Sequence, residues 1–414
     1  MTKLRMAQAP VPAIPRLFLR SAALWGVFAG ALLMADGEAA LASRWSGATL
    51  ALVHALTLGF LGNAMFGALL QFLPVAVGAS VRGGARAARI LHGLLNLGVA
   101  LLIAGFRWPQ ALNPTWGGGL LLVAFLLLAA LVLPGLLRAE GERFLRQGIG
   151  LAVAAALVTA TLGLLLALGW SGLLHLPQLT LTDAHAGWGL LGWVLGLLAA
   201  VARVVAPMFQ GAVPAPARAQ GGWQLVLYVL LMALLFCAAR GTTPDWLRIA
   251  LSLPMLVFAI GGLWLQLGAR HLRLVPLTFF WCAGFAVLAI AGCLLLAGAG
   301  GAMMVGALVV AIGLPLLVTG MSLEIVAFLG WIELQRECGK GVHVPGVQLL
   351  MPSRDKAVVL ALHLLAGLLL ALAVRQVWMA AIAGAALLFA HCASFVALGG
   401  ARRRGRRFIA ERTR

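Results

Sequence analysis

Eight histidines are the side chains in this sequence with the clearest capacity for chemistry, and two of them share a repeated pattern. His54 opens the segment HALTLGFLGNAMFGALLQFLPV, and His185 opens HAGWGLLGWVLGLLAAVARVVAPMF. Each histidine is followed by glycines at helical spacing and then by a proline, Pro74 in one segment and Pro207 in the other. An imidazole inside a bilayer is costly unless it bonds a neighbour or a metal, so each histidine is a candidate functional group.

Two histidines at one depth on different helices can occupy both axial positions of a haem iron, because haem sites in helical bundles are built from facing side chains. We therefore expect His54 and His185 to hold a haem, of b type, near the outer face of the membrane. The neighbouring glycines would let a flat macrocycle or another helix approach closely. The competing interpretation is that each histidine bonds a carbonyl or hydroxyl of the next helix and that the glycines serve packing alone.

A second group of histidines falls in the inner half of the apolar segments: His92, His363 and His391. Imidazole suits both haem iron and copper, so these three are candidates for a second haem or a copper site. Copper is the less favoured cofactor. Because no repeat supports this group, the structural interpretation, in which each ring bonds a neighbouring helix, is preferred.

Glu324 is the most isolated carboxylate within an apolar segment. A carboxylate at such a position tends to be protonated, paired, or part of a proton path. Arg203 is a candidate for the basic residue that pairs with Glu324. Met303 and Met304 lie near the outer level of the same span and could ligate haem, but methionine in an apolar helix usually serves packing.

The composition indicates that lipid is the solvent for most of these residues. Of 414 residues, 63% are hydrophobic and 10% charged, against about 45–50% and 25% in average soluble domains. The five cysteines show no CxxC spacing, so the sequence predicts neither a disulfide framework nor a zinc site. The formal net charge is +19. The charged residues lie between the apolar runs and at the two ends of the sequence, which argues against nucleic-acid binding.

Spanning about 30 Å of hydrocarbon takes about 20 helical residues, and this length predicts an all-α, polytopic membrane protein with about twelve spans. The membrane domain covers 17–399, between a cytoplasmic N-terminal segment, 1–16, and a basic cytoplasmic tail, 400–414. The predicted spans are 17–35, 48–77, 87–105, 117–137, 148–170, 184–208, 223–239, 246–267, 275–297, 303–331, 356–374 and 377–399.

The distribution of Lys and Arg predicts the orientation of these spans. With both termini in the cytoplasm, the outer side holds few of the 30 basic residues: Arg44, Arg107, Arg240, Arg248 and Arg375. The remainder lie on the cytoplasmic side, as the positive-inside rule requires. The tail ARRRGRRFIAERTR is an orientation anchor and a contact for anionic lipid. No cleavable signal peptide is evident, so the first apolar stretch is interpreted as a retained span.

The pattern shared by spans 2 and 6 suggests units of four helices repeated three times. The third copy falls in span 10, whose inner end reads GMSLEIVAFLGWIEL. This copy has neither the proline nor a histidine at the matching outer level. Span 10 has therefore either diverged or acquired another ligand.

The segments HALTLGF, GALLQFLPV, AHAGWGLLGW, GMSLEIVAFLGWIELQ and VPGVQLLMP resemble bacterial membrane proteins related to subunit I of haem-copper oxidases, especially the cbb-type branch, and more distantly the NnrS family. The resemblance extends from span 2 to span 11. It implies twelve helices in a pseudo-threefold arrangement of four-helix units, haem near the outer face, and location in the bacterial inner membrane. It also implies respiratory electron transfer or nitric oxide metabolism, with a respiratory-chain component or quinone as the partner to consider.

The sequence departs from the oxidase pattern at the catalytic centre. Spans 7 and 10 contain no histidine, and Tyr228 is the only tyrosine, so a working copper and high-spin haem centre is not expected. The resemblance matches His54 to the low-spin haem ligand of span 2. The leading hypothesis is a haem protein that lacks this centre. The alternatives are a transporter or assembly factor for a metal or small solute, and a non-catalytic scaffold subunit; the sequence does not fix the oligomeric state.

Overall fold

Twelve helices long and apolar enough to cross a membrane dominate the computed structural model, which describes residues 10–338 and 342–412. No strand occurs in the described residues. The predicted all-α, polytopic class and the count of twelve are confirmed. The helices are α1 (Ala13–Asp36), α2 (Gly47–Val77), α3 (Gly84–Arg107), α4 (Pro114–Arg138), α5 (Arg143–Trp170), α6 (Gln178–Gln210), α7 (Ala217–Ala239), α8 (Asp245–Leu267), α9 (Pro276–Ala297), α10 (Gly301–Glu337), α11 (Ser353–Arg375) and α12 (Val377–Glu411).

The two ends of the membrane domain are longer than the hydrophobic pattern predicts. Helix α1 begins at Ala13, within the predicted N-terminal segment 1–16, and residues 1–9 of that segment lie outside the described residues. The predicted tail 400–414 is helical through Arg412, and its last two residues are likewise outside. Arginine is a good helix former, so the helix continues where the apolar sequence stops.

The described residues form two compact units. The first comprises Phe72–Leu272 and Leu288–Val305, and it contains α3 to α8. The second comprises Pro10–Gln71, Arg273–Val287 and the chain from Gly306 onward, and it contains α1, α11, α12 and most of α2 and α10. His92 and His185 belong to the first unit, whereas His54, His363 and His391 belong to the second.

Small residues allow close helix packing in the second unit. A Cβ added to Gly30 of α1 would lie 2.4 Å from the backbone nitrogen of Leu388 on α12, and one added to Gly384 of α12 would lie 2.4 Å from the nitrogen of Met34. Contacts this short require glycine, as in the small-residue motifs of membrane helices. Helices α1 and α12 therefore pack backbone to backbone, and side chains between them are positioned tightly.

A local distortion recurs in the three spans that the sequence relates to one another. Segments of π-helix occupy Ala55–Gly62 in α2, Trp188–Leu195 in α6 and Ala307–Gly313 in α10. Such wide turns are rare and frequently mark functional sites.

The C-terminal ends of α2 and α6 also correspond. Each helix is followed by a glycine in the left-handed region, Gly78 with φ 71° and Gly211 with φ 75°, at the same distance after its proline. Glycine adopts this conformation without steric cost. Helix α10 is instead followed by Cys338, which has right-handed backbone angles. These features support a repeat whose third copy has diverged, and the pseudo-threefold arrangement in space stays a prediction.

Candidate functional site

His54 lies on the helical turn that immediately precedes the π-segment of α2. Its ring is half-buried, and its Nδ1 lies 2.7 Å from the carbonyl oxygen of Leu50. A carbonyl oxygen only accepts, so Nδ1 carries the proton in this contact and Nε2 carries the lone pair. A metal-ligating histidine is commonly oriented in this way, with its second nitrogen donating to a backbone carbonyl.

His185 precedes the π-segment of α6 and also directs Nδ1 at a backbone carbonyl, here that of Thr159 on α5 at 3.0 Å. Its ring is half-buried. Gly163 of α5 provides the space for the ring, because a Cβ there would lie 3.0 Å from Cε1 of His185. This tautomer again leaves the lone pair on Nε2.

The nitrogen atoms available at these two positions suit the coordination of a haem iron. Two neutral imidazoles that ligate iron through Nε2 are suitable axial ligands. In each of them the contact between Nδ1 and a carbonyl orients the ring. The two histidines belong to different units, and their pairing stays a prediction. Within the described residues no three His, Cys, Asp or Glu side chains gather as a metal-ion site, but axial haem ligation requires only two protein ligands.

The π-segment of α6 also has side-chain partners on α7. The hydroxyl of Tyr228 donates to the carbonyl of Gly192 at 2.8 Å, and Nε1 of Trp188 donates to the carbonyl of Leu231 at 3.1 Å. Wide helical turns leave carbonyls poorly satisfied within the helix, so the bond from Tyr228 stabilises the distortion. The bond from Trp188 connects the start of the π-segment to α7. The only tyrosine of the chain therefore has a structural contact beside the segment that follows His185.

Two members of the group His92, His363 and His391 come together in the second unit. The rings of His363 on α11 and His391 on α12 lie 4.9 Å apart between centroids at an interplanar angle of 77°. Both side chains are buried, with 5% and 0% exposure. His92 belongs to the first unit.

The surroundings of the pair are aromatic and apolar. Phe60 of α2 contacts the ring of His391 edge to face at 4.9 Å, and Phe280 of α9 contacts His363 at 6.3 Å. Gly26 of α1 lies directly against His391, because a Cβ there would be 2.2 Å from Nδ1. The pair therefore sits in a closely packed apolar environment within this unit.

Three of the four ring nitrogens in this pair have no hydrogen-bond partner. Nδ1 of His363 lies 2.9 Å from the carbonyl oxygen of Val359, one turn earlier in α11. Nε2 of His363 and both nitrogens of His391 are buried and unbonded. The preferred sequence interpretation, in which each ring bonds a neighbouring helix, therefore does not account for His391. A buried polar group without a partner costs about 1–3 kcal/mol, so these nitrogens require an explanation.

Glu324 has a different partner from the one proposed from the sequence. Nζ of Lys356 on α11 donates to its Oε1 at 2.6 Å, and both side chains are more than nine-tenths buried. Arg203 instead pairs with Glu142, the residue before α5, and donates to the carbonyl of Ala215. The pairing of Glu324 with Arg203 is therefore wrong, and Glu324 belongs to a buried ion pair.

The remaining sequence candidates occupy several different environments. Met303 is half-buried and Met304 is buried in α10, as expected of packing residues. All five cysteines are free. His175, His271 and His343 are exposed in connecting segments.

No protein-family model matches this chain, and no curated protein matches it in sequence.

Proposed function

We propose that the chain is a haem-binding membrane protein in which His54 and His185 are the axial ligands of one haem b. The observation that carries the proposal is a pair of features that their local settings share. Each ring precedes a π-segment of a repeat-related helix, and each directs Nδ1 at a backbone carbonyl. A haem bound there would supply one-electron chemistry, and the two imidazoles would hold the iron through Nε2 and disfavour binding of a further ligand.

The resemblance to oxidase subunit I and NnrS-like proteins suggests the context of this haem. Respiratory electron transfer or nitric oxide metabolism, with a quinone or respiratory-chain component as the electron partner, follows from that resemblance. The absence of histidine from the α7 and α10 sequences and the structural contact of Tyr228 argue against a copper and high-spin haem centre. The proposed role is therefore electron transfer, sensing or protection rather than oxygen reduction.

The proposed location is the bacterial inner membrane with both termini in the cytoplasm. Twelve apolar helices require a bilayer. The orientation rests on the basic residues, which fall mostly on the side of the two termini when the spans alternate.

An absorption spectrum of the purified full-length chain tests the haem proposal. We expect a Soret band and an α-band that sharpens on reduction with dithionite. His54→Ala and His185→Ala should each abolish the low-spin spectrum, whereas His175→Ala, which changes an exposed loop histidine, should retain it. A colourless wild-type protein expressed with ample haem would overturn the proposal, and so would a low-spin spectrum that survives both variants.

A second candidate function, the handling of a metal ion, is favoured by the unbonded nitrogens of His363 and His391. Such a protein would serve as a transporter or assembly factor, with the histidines as ligands. This candidate predicts a haem-free preparation that binds metal, so the same spectrum separates it from the first.

A further inference from the structure

We propose that a cavity in the second unit binds the headgroup of an anionic glycerophospholipid, with Arg402 and Arg406 holding its phosphate. The cavity has a volume of about 430 Å³, within the range of about 300–1,000 Å³ that is typical of ligand pockets. Its lining residues belong to α1, α10 and α12. Neither His54 nor His185 lines it, so the lipid proposal and the haem proposal can fail separately.

The cavity lies at the level where all three helices pass from apolar to charged sequence. Arg16 of α1 immediately precedes the first apolar stretch. The other lining residues fall within 330–337 of α10 and 401–410 of α12, the segments in which charged residues follow the apolar ones. Lipid headgroups occupy this level of a bilayer, just outside the hydrocarbon core. Basic pockets between membrane helices at this level bind anionic headgroups.

The side chains that line the cavity carry three positive and two negative charges, which leaves one net positive charge. They are Arg16, Arg402, Arg406, Glu333 and Glu337. A phosphodiester carries one negative charge, so its binding would leave the cavity neutral. A phosphate monoester carries about −1.5 to −2 near neutral pH, which exceeds the charge of the cavity. The balance of charge therefore favours a phosphodiester, the form of phosphate in membrane lipids.

Arg16 places a buried positive charge beside the cavity. Its Nη1 lies 2.6 Å from Oε2 of Glu333, and its side chain is 8% exposed. Nε and Nη2 of the same guanidinium are buried and have no hydrogen-bond partner. One carboxylate therefore uses only part of the five-donor capacity of this group. Because Nε and Nη2 are closed to water, Arg16 contributes through its charge, and direct contact with the phosphate falls to the exposed arginines of α12.

Arg402 and Arg406 are four residues apart on α12, so they lie on one face of the helix, and both line the cavity. Both are exposed, and within the described part of the chain neither forms an ion pair. Two guanidinium groups on one face can hold the oxygens of a single phosphate. Arg403 and Arg407 have the same spacing and are also exposed, but they do not line the cavity.

The carboxylates of the cavity favour a headgroup that carries hydroxyl groups. Glu337 is exposed, and its oxygens accept hydrogen bonds. The glycerol of phosphatidylglycerol can donate to Glu337 while its phosphate contacts the arginines. The ammonium of phosphatidylethanolamine could also meet Glu337, but this lipid has no net charge and would leave the positive charge of the cavity unbalanced. Phosphatidylglycerol is therefore the lipid that best matches the cavity.

Native mass spectrometry of the detergent-solubilised full-length chain tests the site by counting bound lipids. One phosphatidylglycerol should bind more tightly than any further copy. Arg402→Gln combined with Arg406→Gln should weaken this binding about 30-fold, at about fivefold for each basic residue removed. Arg403→Gln with Arg407→Gln removes the same charge from the same helix outside the cavity, and it should weaken binding less than about threefold. Equal losses in the two variants would show diffuse attraction to the basic helix and would overturn the proposal.

Gly405 allows the cavity to be blocked without a change of charge. It lines the cavity, and the nearest atoms to an added Cβ are 4.0 Å away. Gly405→Leu should therefore fill part of the cavity and reduce the binding of phosphatidylglycerol. Gly399→Leu is the control on the same helix, because Gly399 does not line the cavity and its added Cβ would lie 3.9 Å from the nearest atom. Wild-type binding by Gly405→Leu would contradict the assignment.

Competition by other headgroups tests the chemistry on the wild-type chain, where no variant has to fold. Phosphatidylethanolamine and inorganic phosphate, each supplied in excess, should fail to displace phosphatidylglycerol. Displacement by phosphatidylethanolamine would show that net charge does not select the lipid. Displacement by inorganic phosphate would identify a soluble anion as the ligand, and either result would overturn the proposal. Haem content measured on the same samples reports on His54 and His185 separately.

Discussion

Lys356 on α11 and Glu324 on α10 form a buried ion pair, with Nζ 2.6 Å from Oε1. Taking two charges out of water is costly, and their attraction offsets this cost only when both partners are present. The pair connects α10 to the first turn of α11 within the second unit. Arg404 of the α12 extension donates to Asp355, the neighbour of Lys356, which adds a second contact to the start of α11.

Glu324→Gln should destabilise the protein because it leaves the Lys356 ammonium buried without its counter-charge. The expected loss is about 3–5 kcal/mol, measured as a fall in the apparent melting temperature of the detergent-solubilised chain. Asp245→Asn is the matched control. It removes an ion pair with Arg248 in which the Asp245 side chain is 89% exposed, and such pairs contribute about 0–1 kcal/mol. Equal melting temperatures for the two variants would contradict this account.

The length and hydrophobicity of the spans were predictable because both are properties of consecutive residues. The partner of Glu324 was not, since Lys356 stands at the edge of an apolar segment and resembles a loop residue in the sequence. A long lysine stem lets the ammonium reach a carboxylate on another helix. Pairing between helices depends on their rotation and depth, which the hydrophobic pattern does not specify.

The contact between His363 and His391 was likewise only partly predictable. The sequence places both histidines in the inner half of their spans and includes them with His92 in one group. Which of the three meet depends on packing that brings α11 and α12 into one unit. A signal was present in α1, where Gly26 and Gly30 have the spacing of close helix approach.

Gly26→Ala should destabilise the second unit through a clash with His391. The added Cβ would lie 2.2 Å from Nδ1, and overpacking of this kind costs about 1–3 kcal/mol. The clash should be relieved in the His391→Ala background, because the nearest atoms to the new methyl group all belong to that ring. A double-mutant cycle of apparent melting temperatures measures this coupling. Additive effects of the two changes would show that the contact is unimportant. Gly261→Ala is the control for replacing a glycine within a helix, because its added Cβ would have no atom within 4 Å.

Gly163→Ala should alter the position of His185 without removing the ligand. Its Cβ would lie 3.0 Å from Cε1 of the ring, so the imidazole must shift by a few tenths of an ångström. If His185 ligates haem, we expect reduced haem occupancy or a changed α-band in the purified variant. Gly119→Ala on α4, where the new methyl group meets nothing within 4 Å, should keep the wild-type spectrum. A wild-type spectrum and occupancy for Gly163→Ala would argue that His185 is not the ligand.

Two exposed loop histidines provide a matched test of orientation. His175 follows α5 and His271 follows α8, so alternation of the spans places them on opposite sides of the membrane. In a chain whose five native cysteines are replaced by alanine, His175→Cys should react with a membrane-impermeant maleimide in spheroplasts. His271→Cys should react only after the cells are broken, because its loop is cytoplasmic by the positive-inside rule. Labelling of His271→Cys in intact spheroplasts, with His175→Cys protected, would reverse the topology. It would also move the proposed haem ligands from the outer to the cytoplasmic half of the bilayer.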